Sequence, residues 1–175
     1  ILNYKKILRF IPNEFDVYGL QCPGVLGQSA LASSISELAI LYANDISLLN
    51  SNGNSYESIY FAGGSMGGLV AFETAKEMQE FDLKVENVIM FDTFGPQEAF
   101  SHIPSTQRQS LLSRIKTFIY YRCKKWEADF FSFMAQLKGR PVSHKYRHFL
   151  VELNNYSLIN QHKVSEGDIK VHLLR

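Results

Sequence analysis

Two rhythms of apolar residues run through the chain, one at helical spacing and one in short continuous or alternating runs. Ile1, Tyr4, Ile7, Leu8 and Ile11 mark one face of a helix that Pro12 ends. Phe15, Val17 and Gly19 alternate within Phe15–Leu20 and predict a strand, closed by a turn at Pro23-Gly24. Ser34-Ile35-Ser36-Glu37 has the form of a capping box, and Ile35, Leu38, Ala39, Tyr42, Ile46 and Leu49 follow it as a helical stripe that ends in Asn50–Asn54. Ile59–Ala62 predicts a strand, Met66–Glu80 a helix, and the fully apolar Val88-Ile89-Met90-Phe91 a buried parallel strand.

Strand, helix and strand in alternation predict an α/β protein, a mostly parallel sheet flanked by helices. Sites on such sheets lie at the carboxyl ends of the strands, where Ser65 and Asp92 both fall. After Gly95 the rhythm changes. Leu111, Leu112, Ile115, Phe118 and Ile119 repeat at helical spacing, as do Phe130, Phe133, Met134 and Leu137, and another helix is expected around His148–Ile159. Gly167 then precedes Ile169, Val171 and Leu173, alternating as a strand. The chain is therefore expected to be one domain, 1–175, with a helical insertion at about 98–164 between two strands of the sheet, an arrangement common in lids.

Composition narrows the setting. At 175 residues, 46% hydrophobic content allows a substantial core, and a formal charge of +1 gives no global reason to expect nucleic acid. Cys22 and Cys123 stand alone, without metal-ligand or disulfide spacing, which argues against a metal site and fits a reducing, cytoplasmic location; no bound cofactor is expected. No stretch has the length of a membrane span, and Lys5, Lys6 and Arg9 interrupt any signal-peptide core.

The chemistry centres on Gly63-Gly64-Ser65-Met66-Gly67. A serine between a strand and a helix, with glycine two positions to either side, is the pattern of a nucleophile elbow. Gly63 and Gly67 leave room for the tight turn, and the Met66 N–H at the helix start can donate to a developing oxyanion. The competing reading is a chance match. Asp92, closing the next strand, is the candidate acid that would orient a base, against the reading of Asp92-Thr93 as turn residues. The catalytic histidine stays unknown. His102, His144, His148, His162 and His172 each read as surface or structural, because a base is expected after a later strand. A second oxyanion donor is expected from a loop after an earlier strand, whereas this chain opens on a helix. Both points lead to the expectation that the sequence is truncated at its two ends.

Three blocks carry a resemblance: Val17-Tyr18-Gly19-Leu20-Gln21-Cys22-Pro23-Gly24, Ile35-Ser36-Glu37-Leu38-Ala39 with Tyr42, and Phe61 through Glu73 around Ser65. In this order they resemble the thioesterase domains of nonribosomal peptide and polyketide synthases. Val88 through Thr93, with the acid closing the strand after the serine helix, is similar to the chain-terminating type. The resemblance implies an α/β-hydrolase fold with Ser65 as nucleophile, Asp92 as acid and Met66 as oxyanion donor. It implies a substrate presented on the phosphopantetheine of an acyl or peptidyl carrier protein, released to water or by cyclisation. An esterase or lipase of the same fold, or a non-catalytic acyl-binding fragment, are the alternatives.

Two features of the helical block bear on partners. Arg108, Arg114, Lys116, Arg122, Lys124 and Lys125 occupy Thr106–Lys125 without an acid, so this face is either a solvated surface or, given the resemblance, a dock for an acidic carrier. Phe118, Tyr120, Tyr121, Trp126, Phe130, Phe131 and Phe133 either line a pocket for an apolar chain or pack the block onto the sheet.

Overall fold

The computed structural model of the chain describes residues 4–26, 30–51, 56–81, 83–93 and 111–174. Strands β1 (Ser58–Gly64), β2 (Lys84–Phe91) and β3 (Val171–Leu174) form a parallel sheet in that order. Helices α1 (Ile35–Ser51), α2 (Met66–Glu77), α3 (Leu111–Leu137) and α4 (His144–Gln161) accompany it. Gly64 lies opposite Phe91, and Phe91 opposite Leu174, so the three carboxyl ends finish level on one rim. The α/β class expected from the alternating rhythms is the class observed.

Burial explains the placement. Val88 in the middle of β2 is fully buried, with Phe61 of β1, Ala71 and Ala75 of α2, and Ala43 and Ile46 of α1 around it. A second cluster joins Ile35, Leu38 and Tyr42 of α1 to Leu69 and Val70 of α2 and to Leu158 near the end of α4. The α1 stripe read from the sequence is thus the face that packs, and burial pushes the Tyr42 phenol well above its ordinary value. Ser34 caps α1, its Oγ accepting the Glu37 N–H at 3.0 Å. Glu37 reaches back one residue further than a standard capping box requires, to the N–H and hydroxyl of Ser33.

Several elements differ from expectation. The predicted helix over Ile1–Ile11 is, from Tyr4 onward, a series of tight turns with i to i+3 bonds such as Ile7 N–H to the Tyr4 carbonyl, ending in a 3-10 turn at Leu8–Phe10. Its residues are exposed, so no apolar surface rewards a full α-helix there. Residues 16–22 form no strand. Side chains hold this stretch instead: Tyr18 and Tyr56 share a hydrogen bond of 2.6 Å, and Tyr56 donates to Asp16. The two predicted helical runs after Leu111 are one continuous helix, α3. Among the described residues α3 and α4 lie between β2 and β3 in the chain, while residues 94–110, which include His102 and Arg108, lie outside the described residues.

Candidate active site

β1 ends at Gly64 and α2 begins at Met66, so Ser65 alone turns the chain from strand to helix. Its backbone takes φ 52° and ψ −126°, a conformation that costs a residue with a Cβ about 1–3 kcal/mol. Such strain persists only where surroundings impose it. The Ser65 N–H donates to the Phe91 carbonyl at 2.9 Å, and the Ser65 carbonyl accepts from Gly68 N–H and from Thr93 Oγ1, each at 3.1 Å. A Cβ at Gly63 would collide with the Gly67 backbone, and one at Gly68 with the Thr93 hydroxyl. The turn is therefore locked from both strands, with the Ser65 side of it exposed.

Met66 occupies the first position of α2, so its N–H has no intrahelical acceptor and carries the positive end of the helix dipole. Asp92 sits one strand across, next to the Phe91 that pairs with Gly64, at an inter-strand spacing of about 4.8 Å. Its N–H donates to the Leu174 carbonyl at 2.8 Å and its backbone is left-handed, with φ 46°. That twist ends the β2 ladder and leaves the carboxylate exposed on the rim. The structure thus places Ser65, Met66 and Asp92 on a single edge of the sheet, with Gly63 and Gly67 framing the turn.

The histidines are elsewhere. His162 Nε2 meets Glu73 Oε1 at 2.9 Å in a site where both side chains are buried. Glu73 lies eight residues beyond Ser65 on α2, about 12 Å along the axis, so His162 is held away from the serine. His172 meets Asn87 Oδ1 across β2 and β3, and His144 and His148 are exposed on α4. Among the described residues no histidine hydrogen-bonds Ser65 or Asp92.

Three residues at or near this site escaped the sequence reading. Thr93 is buried and braces the turn, a role no local pattern announces. Glu73 is 5% exposed, binding Lys76 at 2.8 Å as well as His162; an acid set among the small and apolar residues of α2 was its only signal. Tyr4, read only as part of a helical face, accepts the Gly64 N–H on its hydroxyl at 2.7 Å.

The aromatic residues of α3 are exposed and stack mainly on one another and on α4, as in Phe131 on Tyr146 at 5.0 Å. Of the basic residues, Lys125 pairs with Asp129 at 2.6 Å and Lys124 approaches Glu127 at 3.8 Å, so acids one turn on neutralise part of that face. An open cleft of about 600 Å³ beside Leu83, Lys84 and Val85 lies at the start of β2, the opposite end of the sheet from Ser65. Among the described residues no group of three or more His, Cys, Asp or Glu could hold a metal, and no helix is long and apolar enough to cross a membrane.

Comparison with known proteins agrees with this architecture. The family model of the thioesterase domain matches residues 2–131. The chain belongs to the thioesterase domain family. Its relatives include the non-reducing polyketide synthase phnA of Penicillium herquei, 28% identical over 102 residues, and polyketide synthase PksR of Bacillus subtilis, 28% identical over 103. The matched segments cover 54% and 58% of this thioesterase chain but only 5% and 4% of those synthases. Among solved structures, the NocB thioesterase domain in covalent complex with a fluorophosphonate nocardicin G analog superposes with a TM-score of 0.51. At 19% identity, covering 88% of this chain and 58% of that one, it establishes a shared fold. The resemblance to synthase thioesterase domains drawn from the three sequence blocks therefore stands.

Proposed function

We propose that this thioesterase domain releases an acyl, polyketide or peptidyl chain from the phosphopantetheine thioester of a carrier protein through an ester on Ser65. The observation that carries the reading is the locked, strained backbone of Ser65 at the start of α2. In the first step Ser65 Oγ bonds to the thioester carbonyl carbon, its proton passes to a base, and the C–S bond breaks to release the pantetheine thiol with that proton. Water, or a nucleophile within the chain, then attacks the serine ester and returns the proton to Oγ. Met66 N–H stabilises the oxyanion of each addition, and Asp92 orients a histidine base that the described residues leave unassigned. No cofactor is bound, because the phosphopantetheine arrives with the carrier.

The exposed aromatic and basic surface of α3 supports a lid that meets the acyl chain and an acidic carrier, and the whole fits an intracellular, cytoplasmic synthase system. The test is labelling with a fluorophosphonate, the warhead present in the NocB complex, read by intact mass. An adduct on Ser65, absent in Ser65→Ala, is expected, together with turnover of pantetheine thioesters over free short-chain esters. No adduct, or an adduct elsewhere, overturns the reading, and preference for free esters would make the domain an ordinary esterase.

A further inference from the structure

We propose that His144 and His148, at the start of α4, form a two-histidine site for a divalent transition-metal ion such as zinc, and that its occupancy fixes the turn by which α4 holds α3.

The two residues stand four apart, so on a helix they lie one above the other on the same face. This is the spacing by which a single helical turn presents two imidazoles to one zinc ion. Both side chains are exposed, with ring centroids 5.9 Å apart and planes tilted by 39°. Metal–nitrogen bonds of about 2.0–2.1 Å set two such centroids roughly 5 Å apart. The small remaining gap closes by rotation of two side chains that carry no other bond: among the described residues neither imidazole has a hydrogen-bond partner. His162 and His172, in contrast, are bound through Nε2 to Glu73 and Asn87.

The nearby cations are engaged elsewhere. Lys145 Nζ turns to Glu127 of α3 at 3.7 Å and lies over the Tyr146 ring, and Arg147 donates to the Leu26 carbonyl. Glu152, exposed one turn beyond His148 on the same strip, adds negative charge. The positive end of the α4 dipole opposes a cation here by only about two- to fivefold in affinity. Imidazole nitrogens suit zinc, nickel and copper, whereas magnesium and calcium take oxygen ligands. With two protein ligands the remaining coordination positions fall to water, so the ion is exchangeable rather than permanently held.

The same turn is the grip on α3. Tyr146 stacks on Phe131 at 5.0 Å and donates its hydroxyl to Glu127 at 2.8 Å, and Phe149 stacks on Tyr121 at 6.4 Å. The first N–H groups of a helix lack intrahelical acceptors. At α4 the Ser143 carbonyl accepts from the Tyr146 and Arg147 N–H groups, but the Ser143 side chain caps nothing. An ion bridging His144 to His148 spans this weakly capped turn. Because it binds only the helical arrangement, it stabilises that arrangement and the contacts with α3 that depend on it.

The test titrates the full, metal-free chain with Zn²⁺ by calorimetry, with Mg²⁺ as the control for simple charge attraction. The wild type is expected to bind Zn²⁺ and not Mg²⁺. His144→Gln and His148→Gln are each expected to lose at least about tenfold in affinity, the penalty that even an outer-shell partner's removal carries. Both residues are exposed, so without metal the two variants are expected to melt with the wild type. His172→Gln and Cys123→Ser are expected to bind as the wild type does. Zn²⁺ is expected to raise the wild-type melting temperature and to slow amide exchange in the first turns of α4 and in α3 around Phe131, with neither effect in the double variant His144→Gln/His148→Gln. No Zn²⁺ binding by the wild type, or binding that survives both substitutions, overturns the site. Affinity lost on replacing only one of the histidines shows a single ligand and overturns the pair. Binding that leaves exchange in α3 unchanged overturns the link to α3.

Discussion

Thr93 donates its hydroxyl to the carbonyl of Ser65 at 3.1 Å, tying the residue beyond the end of β2 to the turn beyond the end of β1. Thr93 is buried, so replacing it with the isosteric valine leaves an acceptor without that donor in a dry site. Because the Gly68 N–H still serves that carbonyl, Thr93→Val is expected to destabilise the fold by about 0.5–1.5 kcal/mol, read from urea unfolding, while Thr93→Ser stays nearer the wild type. Because the lost bond is one of those that hold φ of Ser65 at 52°, fluorophosphonate labelling is expected to slow in Thr93→Val. Equal stability of the valine and wild-type proteins would show that the strain is imposed by the strand pairing alone.

The elbow was legible because its constraints are local. A tight strand-to-helix turn demands small residues at fixed offsets, so Gly63 and Ser65 announce it in the bare sequence, and the apolar run Val88–Phe91 places Asp92 on the same rim. What the sequence hid are contacts made across large separations: Tyr4 to Gly64 and Glu73 to His162 join residues 60 and 89 positions apart. Periodicity also misjudged segments with a good pattern and nothing to pack against. Phe15–Leu20 alternates as a strand should, yet no described strand lies beside it, and Tyr4, Ile7 and Leu8 keep helical spacing while remaining exposed.

Glu73 anchors the segment that follows α4 to the helix that follows Ser65. Its two carboxylate oxygens bind Lys76 and His162, and Lys76 also donates to Ser165. With the Glu73 side chain buried, removing its charge leaves the largely buried Lys76 ammonium without its ion-pair partner. Glu73→Gln is expected to cost about 3 kcal/mol in urea unfolding, and His162→Gln, which can keep one hydrogen bond, about 1 kcal/mol. Amide exchange over residues 163–170 should rise in Glu73→Gln before that of β1. A loss below about 0.5 kcal/mol would show that the surrounding apolar contacts hold the segment unaided.

Glu37 ties the start of α1 to the acid range of pH. Hydrogen bonds from the Ser33 hydroxyl and N–H favour its ionised form and hold its carboxyl below the ordinary carboxylate value. A carboxyl lowered in the folded state stabilises the fold above its unfolded pKa of about 4.3 and loses that contribution as pH falls through the folded value. Amides in the first turn of α1 are therefore expected to exchange faster, relative to those of β2, below that pH. Glu37→Gln should show the faster relative exchange at neutral pH and little further change with acid. A parallel acid response in wild type and Glu37→Gln would place the titration elsewhere.

Asp92 allows backbone and charge to be separated. Its φ of 46° lies in the left-handed region, which asparagine enters nearly as easily as aspartate and alanine does not. Asp92→Asn is accordingly expected to fold with wild-type stability, keeping the N–H bond to the Leu174 carbonyl, while Asp92→Ala loses about 1 kcal/mol through strain. If Asp92 orients the base, Asp92→Asn should nevertheless lose roughly 10⁴-fold in thioester turnover, because an amide neither fixes the required tautomer nor stabilises the imidazolium. Thermal unfolding and turnover measured on the same three proteins decide the matter. Stability lost in alanine alone, with turnover lost in both, identifies the carboxylate as chemical. Turnover retained in Asp92→Asn would reduce Asp92 to the residue that ends β2 and levels the rim on which Ser65 stands.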